Sequence, residues 1–146
     1  PLLAKERHTQ WNPDLIYFNN REVKPTTGYY VQKLYGQNAG NEYLPSKIVL
    51  DNKDDKVRKR FASSIVRDSA SGDVIVKLVN LLPAEVNTNV DLSGIGAVQP
   101  SAKRTVLTGK PTDTPLPVED RIQIAEKFDC NLPAYSFTVI RIQKAN

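Results

Sequence analysis

Few side chains in this sequence have the types and spacing that chemistry needs. His8 lies near Glu6 and Asp14 in the sequence, and an imidazole beside a carboxylate can act as a general base. No serine or cysteine at a stereotyped turn completes a nucleophilic set, so a surface histidine is expected. Cys130, between Asp129 and Asn131, has neither a cationic neighbour nor a helix N-terminus to lower its pKa and reads as a structural thiol. Carboxylate pairs do acid/base work when held about 5 Å or about 6.5–9.5 Å apart. Asn41-Glu42 resembles a dipeptide that places such a group at the end of a buried strand, but here it sits in a Gly- and Asn-rich stretch. Neither rigid placement nor a raised pKa is expected there. Asp51, Asp54 and Asp55 lack the spacing of a calcium loop and are interrupted by Lys53, so they read as a solvated acidic turn.

The elements that carry these residues fall into two parts. Residues 1–45 hold the only Trp, the only His and five of the six tyrosines. Leu15 to Phe18 is an apolar run closed by Asn19 and Asn20, consistent with a short buried strand or extended segment. Pro25, Thr26 and Thr27 start a helix, Tyr30, Val31, Leu34 and Tyr35 share one face, and Gly36 is its expected stop. Residues 46–146 read differently, as short β-branched segments separated by Gly, Pro, Asp and Asn, with no helix expected. Ile48–Leu50 is the first expected strand. Phe61–Val66 and Val74–Leu82 flank the polar loop 68–73 as a hairpin, and Val86, Thr88, Val90 and Leu92 alternate with polar neighbours. Arg104–Leu107 and Phe137–Ile142 add two more strands. The fold class is all-β, a Greek-key or jelly-roll-like sandwich of seven or eight antiparallel strands, with one N-terminal helix.

Composition narrows the partners. The net charge of +4 is dispersed, and its dense segment, Lys56 to Arg60, follows three aspartates that cancel much of its field within a Debye length. No nucleic-acid partner is expected. No apolar run reaches the roughly 20 residues of a membrane span, so no membrane partner is expected either. One cysteine and one histidine give no zinc-type cluster, and neither metal nor cofactor is expected. The chain has no methionine and opens on Pro1-Leu2-Leu3-Ala4 without a basic flank, which reads as a piece of a longer protein whose address lies elsewhere.

Trp11-Asn12-Pro13-Asp14-Leu15-Ile16-Tyr17-Phe18-Asn19-Asn20, then Pro25-Thr26 and Tyr29-Tyr30-Val31-Gln32, closely resemble the end of the catalytic barrel in family 51 α-L-arabinofuranosidases. Lys77 to Asn80, Arg104 to Gly109 and Leu132 to Ile140 resemble that family's C-terminal domain more weakly. The resemblance implies that residues 1–45 are the terminal segment of a (β/α)8 barrel and that 46–146 form the sandwich. It implies a retaining parent enzyme that removes terminal α-L-arabinofuranosyl residues from arabinose-containing plant polysaccharides. The catalytic glutamates of that family lie on earlier strands and match no position here, so no catalytic residue carries over. Glu6, His8, Trp11 and Asn12 would border the parent's active site. The missing barrel is then the implied partner, a homo-oligomeric parent is compatible with the family, and a secreted or periplasmic parent is left open. Family sandwiches also recruit a strand from before the barrel, which implies an unpaired sheet edge here.

Two other classes are weighed. A carbohydrate-binding module needs a row of exposed aromatics, and beyond Tyr43 only Phe61, Phe128, Tyr135 and Phe137 remain. An unrelated adhesion or scaffold sandwich is opposed only by the N-terminal motif.

Overall fold

The computed structural model describes residues 2–8, 14–110 and 113–145. Three short strands open the chain: β1 (Leu3–Lys5), β2 (Ile16–Phe18) and β3 (Val23–Pro25). β1 pairs parallel with β2, and β2 antiparallel with β3. Helix α1 (Thr27–Gln37) follows. Its N-cap Thr26 accepts the Tyr29 N–H and donates its own hydroxyl to the Leu15 carbonyl, tying the helix start to the strand before it. The helix runs one residue past Gly36, the expected stop. Asn38 ends it instead, its side-chain amide donating to the Leu34 carbonyl.

The remaining strands are β4 (Glu42–Leu44), β5 (Phe61–Arg67), β6 (Val74–Asn80), β7 (Val86–Asp91), β8 (Val98–Thr108), β9 (Val118–Gln123), β10 (Lys127–Leu132) and β11 (Ser136–Lys144). Six form an antiparallel sheet in the order β4-β5-β6-β11-β8-β9, and β7 pairs antiparallel with β10 in a second sheet. The eight antiparallel strands form the expected all-β sandwich. The chain crosses between sheets at β6→β7, β7→β8, β9→β10 and β10→β11.

Strand periodicity of two sorts each sheet into faces. Val74 and Val76 on β6, with Ile140 and Ile142 on β11, point inward against Val90, Phe128, Cys130 and Leu132 of the small sheet. The opposite face of the large sheet, with Ile75, Leu107, Phe137 and Val139, packs under Tyr30, Val31 and Leu34 of α1. β6 and β11 are thus covered on both sides, which is why both read as nearly continuous apolar runs.

Ile48–Leu50, expected as a strand, is irregular. Pro45 interrupts the chain after β4, and among the described residues no strand offers the segment a ladder. One turn of helix, α2 (Asp55–Arg58), was also not expected beyond residue 45; Asp54 caps it by accepting the Lys56 N–H. β9 and β10 lie beyond the expected strands. β9 is a charged edge whose Asp120 takes a bidentate contact from Arg104 directly opposite, with the Nε bond at 2.9 Å.

Candidate functional site

The residues singled out at the N-terminus come together only in part. Glu6 lies beyond β1, where its carboxylate accepts from the Asn19 amide at 2.8 Å and from the Lys24 ammonium at 3.0 Å. Lys24 also holds Glu22 at 3.0 Å. Lys24 and Asn19 thus contact both carboxylates. These contacts hold both Glu6 and Glu22 below the usual carboxylate range, first through the Asn19 and Lys24 hydrogen bonds respectively. A general acid requires the opposite shift. The His8 ring meets the backbone carbonyl of Glu6 through Nδ1 at 2.9 Å, not its carboxylate. Between them Arg7 takes a left-handed φ of 64° in a tight turn. Trp11 and Asn12 lie outside the described residues.

Asn41-Glu42 is structural. Asn41 accepts the Ser69 N–H and donates to the Ser69 hydroxyl, pinning the β5–β6 hairpin loop, while Glu42 on edge strand β4 pairs with Arg67 at 3.4 Å. In the acidic turn Asn52 accepts the Asp54 N–H, and among the described residues no group of three His, Cys, Asp or Glu side chains could hold a metal ion. Cys130 is buried in β10, and burial pushes its thiol pKa up, so it is not poised as a nucleophile. Asp68, Glu119 and Asp120 are likewise held below the carboxylate range by hydrogen bonds, from the Ala70 backbone, Lys103 and Arg104 first.

Two pairs of rings are in contact among the described residues. Tyr29 meets Tyr30 edge-on at 5.1 Å, and Tyr35 stacks on Phe137 at 4.9 Å with 11° between the rings. Tyr43, 66% exposed on β4, stands apart from them.

Two concave surfaces were not foreseen. A groove of about 1100 Å³ runs between residues 44–52, the inner face of β5 and β6, and β7. It exists because six strands face only two, so part of the inner face lacks an opposing layer; Val49, on its wall, is 75% exposed. A smaller cleft of about 610 Å³ lies between α1 and the outer face of the large sheet, lined by Leu15, Val31, Tyr35, Val79, Leu81 and Phe137. The only advance sign of the first was the apolar Ile48–Leu50 segment, whose side chains now line it.

This arrangement defines a β-sandwich module with a docked helix and exposed apolar surfaces, in which Glu6, Glu22 and Glu42 are each tied to a basic side chain. The chain belongs to the α-L-arabinofuranosidase C-terminal domain family, whose model matches residues 3–138. It is 28% identical to α-L-arabinofuranosidase 1 of Arabidopsis thaliana over 158 aligned residues, covering 99% of this chain and 23% of the relative. A shorter stretch of 47 residues is 51% identical to the extracellular exo-α-L-arabinofuranosidase of Streptomyces chartreusis, covering 32% of this chain and 6% of that protein. Among solved structures, the arabinose-bound MgGH51 α-L-arabinofuranosidase superposes with a TM-score of 0.85 at 28% identity, covering 99% of this chain and 23% of the other. The chain therefore spans less than a quarter of the length of the Arabidopsis relative and of that structure.

Proposed function

We propose that the chain is the non-catalytic C-terminal module of an α-L-arabinofuranosidase that removes terminal α-L-arabinofuranosyl residues from arabinose-containing polysaccharides, and that it buttresses the catalytic barrel of the same polypeptide. The observation that carries this is the state of the carboxylates. Glu6 and Glu22 both pair with Lys24 and are held below the usual carboxylate range, while Glu42 is tied to Arg67 on an edge strand. In this reading residues 1–45 close the barrel and 46–146 form the sandwich. Glu6, His8, Trp11 and Asn12 then rim the parent's active site without entering the chemistry. The groove beside β7 is the place for a strand recruited from before the barrel, since among the described residues β7 pairs along one edge only.

The test is an assay of the purified chain on 4-nitrophenyl α-L-arabinofuranoside, with arabinan affinity electrophoresis in parallel. The chain neither hydrolyses nor is retarded. In the full-length enzyme Glu6→Gln and Glu42→Gln keep kcat within about threefold, against the loss of about 100-fold or more expected when a general acid/base is removed. Hydrolysis by the chain, or such a loss, overturns the reading, and retardation by arabinan favours a binding module instead.

A further inference from the structure

We infer that residues 47–60 form a docking surface for an acidic polysaccharide, one that carries uronic-acid carboxylates along its backbone. This rests on the chain being one module of an enzyme that acts on arabinose-containing polysaccharides, and it names the chemistry of the polymer the module holds. Lys47, Lys53, Lys56, Arg58, Lys59 and Arg60 are all exposed. Against them stand only Asp51, Asp54 and Asp55, so this short segment holds three of the chain's four net positive charges. None of the six cations forms an ion pair among the described residues, whereas Arg67, Arg104 and Arg141 elsewhere do. Asp54 is occupied by the Lys56 N–H as the cap of α2. The cancellation expected from the sequence is thus incomplete.

The backbone gathers these cations on one surface. Val57 turns into the groove on the inner face of the large sheet, so Lys56, Arg58 and Lys59 around it turn outward into water. Lys59 keeps helical φ and ψ of −66° and −8°, which leaves its Cβ about 5–6 Å from that of Lys56 on the same face. Like charges at that spacing repel, and no carboxylate of this segment contacts them. An incoming anion relieves the repulsion, and the Arg58 and Arg60 guanidiniums each suit a carboxylate through two parallel N–H bonds. Helix α1 packs on the opposite face of the sheet and leaves this surface open. A uronate polymer fits better than a nucleic acid for two reasons. No aromatic ring lies within 47–60 to stack a base. The three interspersed aspartates also oppose a duplex, with one charge per about 1.7 Å, more than a chain of separated carboxylates.

The experiment measures binding of the full-length enzyme to immobilised polygalacturonic acid at about 50 and about 200 mM salt. The wild-type enzyme is expected to bind at the lower salt and to lose about tenfold or more in affinity at the higher. Lys56→Gln, Arg58→Gln and Lys59→Gln combined should weaken low-salt binding about tenfold and make its salt dependence shallower. Lys33→Gln, Arg121→Gln and Lys144→Gln combined remove the same charge elsewhere on the surface and should weaken it no more than about twofold. No binding at the lower salt, or equal losses in the two triple variants, overturns the inference. So does displacement of the enzyme by duplex DNA at an equal concentration of charge, which marks a general polyanion surface. Should the first triple variant not fold, Lys56→Gln with Lys59→Gln is read in the same way. Turnover of 4-nitrophenyl α-L-arabinofuranoside reports separately on the underlying reading, so an active enzyme that ignores polygalacturonate overturns the docking surface alone.

Discussion

The ammonium of Lys77 lies 5.2 Å from the centroid of the Tyr35 ring, beneath α1 and in the middle of β6. Lys77 is only 3% exposed, and burial alone lowers its pKa. A cation–π contact offsets part of the cost of removing an ammonium from water, but no carboxylate is paired with it among the described residues.

Replacing that cation by an isosteric apolar chain should therefore stabilise the fold. Lys77→Met is expected to raise unfolding free energy at pH 7 by about 1 kcal/mol, at the low end for replacing buried charge by hydrophobe. The pH dependence has a fixed sign. Because the folded pKa lies below the unfolded 10.5, the wild-type chain gains stability from this group as pH rises from the folded pKa toward 10.5, and the variant lacks that rise. Urea titrations at a series of pH values measure both.

Asn80 is fully buried, and its amide donates to the carbonyls of Ala84, Leu132 and Pro133 while its oxygen accepts the Leu82 N–H. Asn80→Ala leaves those groups unpaired beneath two loops and should cost about 2–4 kcal/mol. Asn80→Asp removes the donors and keeps the acceptor, so it should not rescue the loss. Chemical denaturation distinguishes the two.

Arg141 gathers the hairpin loop by donating from Nε to Asp73 at 2.6 Å and from one terminal nitrogen to Asp68 at 2.9 Å. Asp68 is held below 3.8, first by the Ala70 N–H and then by Arg141. Its contribution is complete above pH 3.8 and fades as pH falls through the lower folded value. Arg141→Met should cost about 1 kcal/mol at pH 7 and should flatten the acid limb of the stability profile below pH 4. Thermal unfolding between pH 2 and 7 reads the difference.

Gly40 has φ +63°, and a Cβ there would stand 2.6 Å from a Val66 methyl. Gly40→Ala is expected to cost about 2 kcal/mol or more through backbone strain and overlap together. Gly36 is the control: a Cβ there meets nothing within 4 Å, so Gly36→Ala in α1 should stabilise by about 1 kcal/mol. The two variants move the thermal midpoint in opposite directions.

The hairpin β5–β6, strand β7 and helix α1 were legible because their periodicity states which face is buried. β10 follows the same rule through Phe128, Cys130 and Leu132, but Lys127, Asp129 and Asn131 between them dilute it to look like a loop. β9 is legible only in pairs, since Glu119 and Asp120 find Lys103 and Arg104 on the neighbouring strand. Ile48–Leu50 has strand composition and no ladder, because strand formation needs a neighbour that composition does not supply. The turn-rich context of Glu42 gave no sign of its contact with Arg67, which comes from the pairing of β4 with β5. The Glu6–Lys24–Glu22 cluster was equally hidden, since it depends on the pairing of β2 with β3. The two concave surfaces arise from strand count and helix docking, which no local window contains.

The strand order carries a consequence for the timing of folding. β11 lies between β6 and β8 and joins the two halves of the large sheet, yet Ser136–Lys144 are synthesised after every other described strand. The β5–β6 hairpin can close on local contacts as soon as it emerges, but the halves β4-β5-β6 and β8-β9 share no hydrogen-bonded edge until this segment arrives. Sequence-distant pairing of this kind is slow. Until then the facing edges of β6 and β8 stay unpaired, so loss of residues 136–144 is expected to separate the two halves of the large sheet and not merely remove one strand.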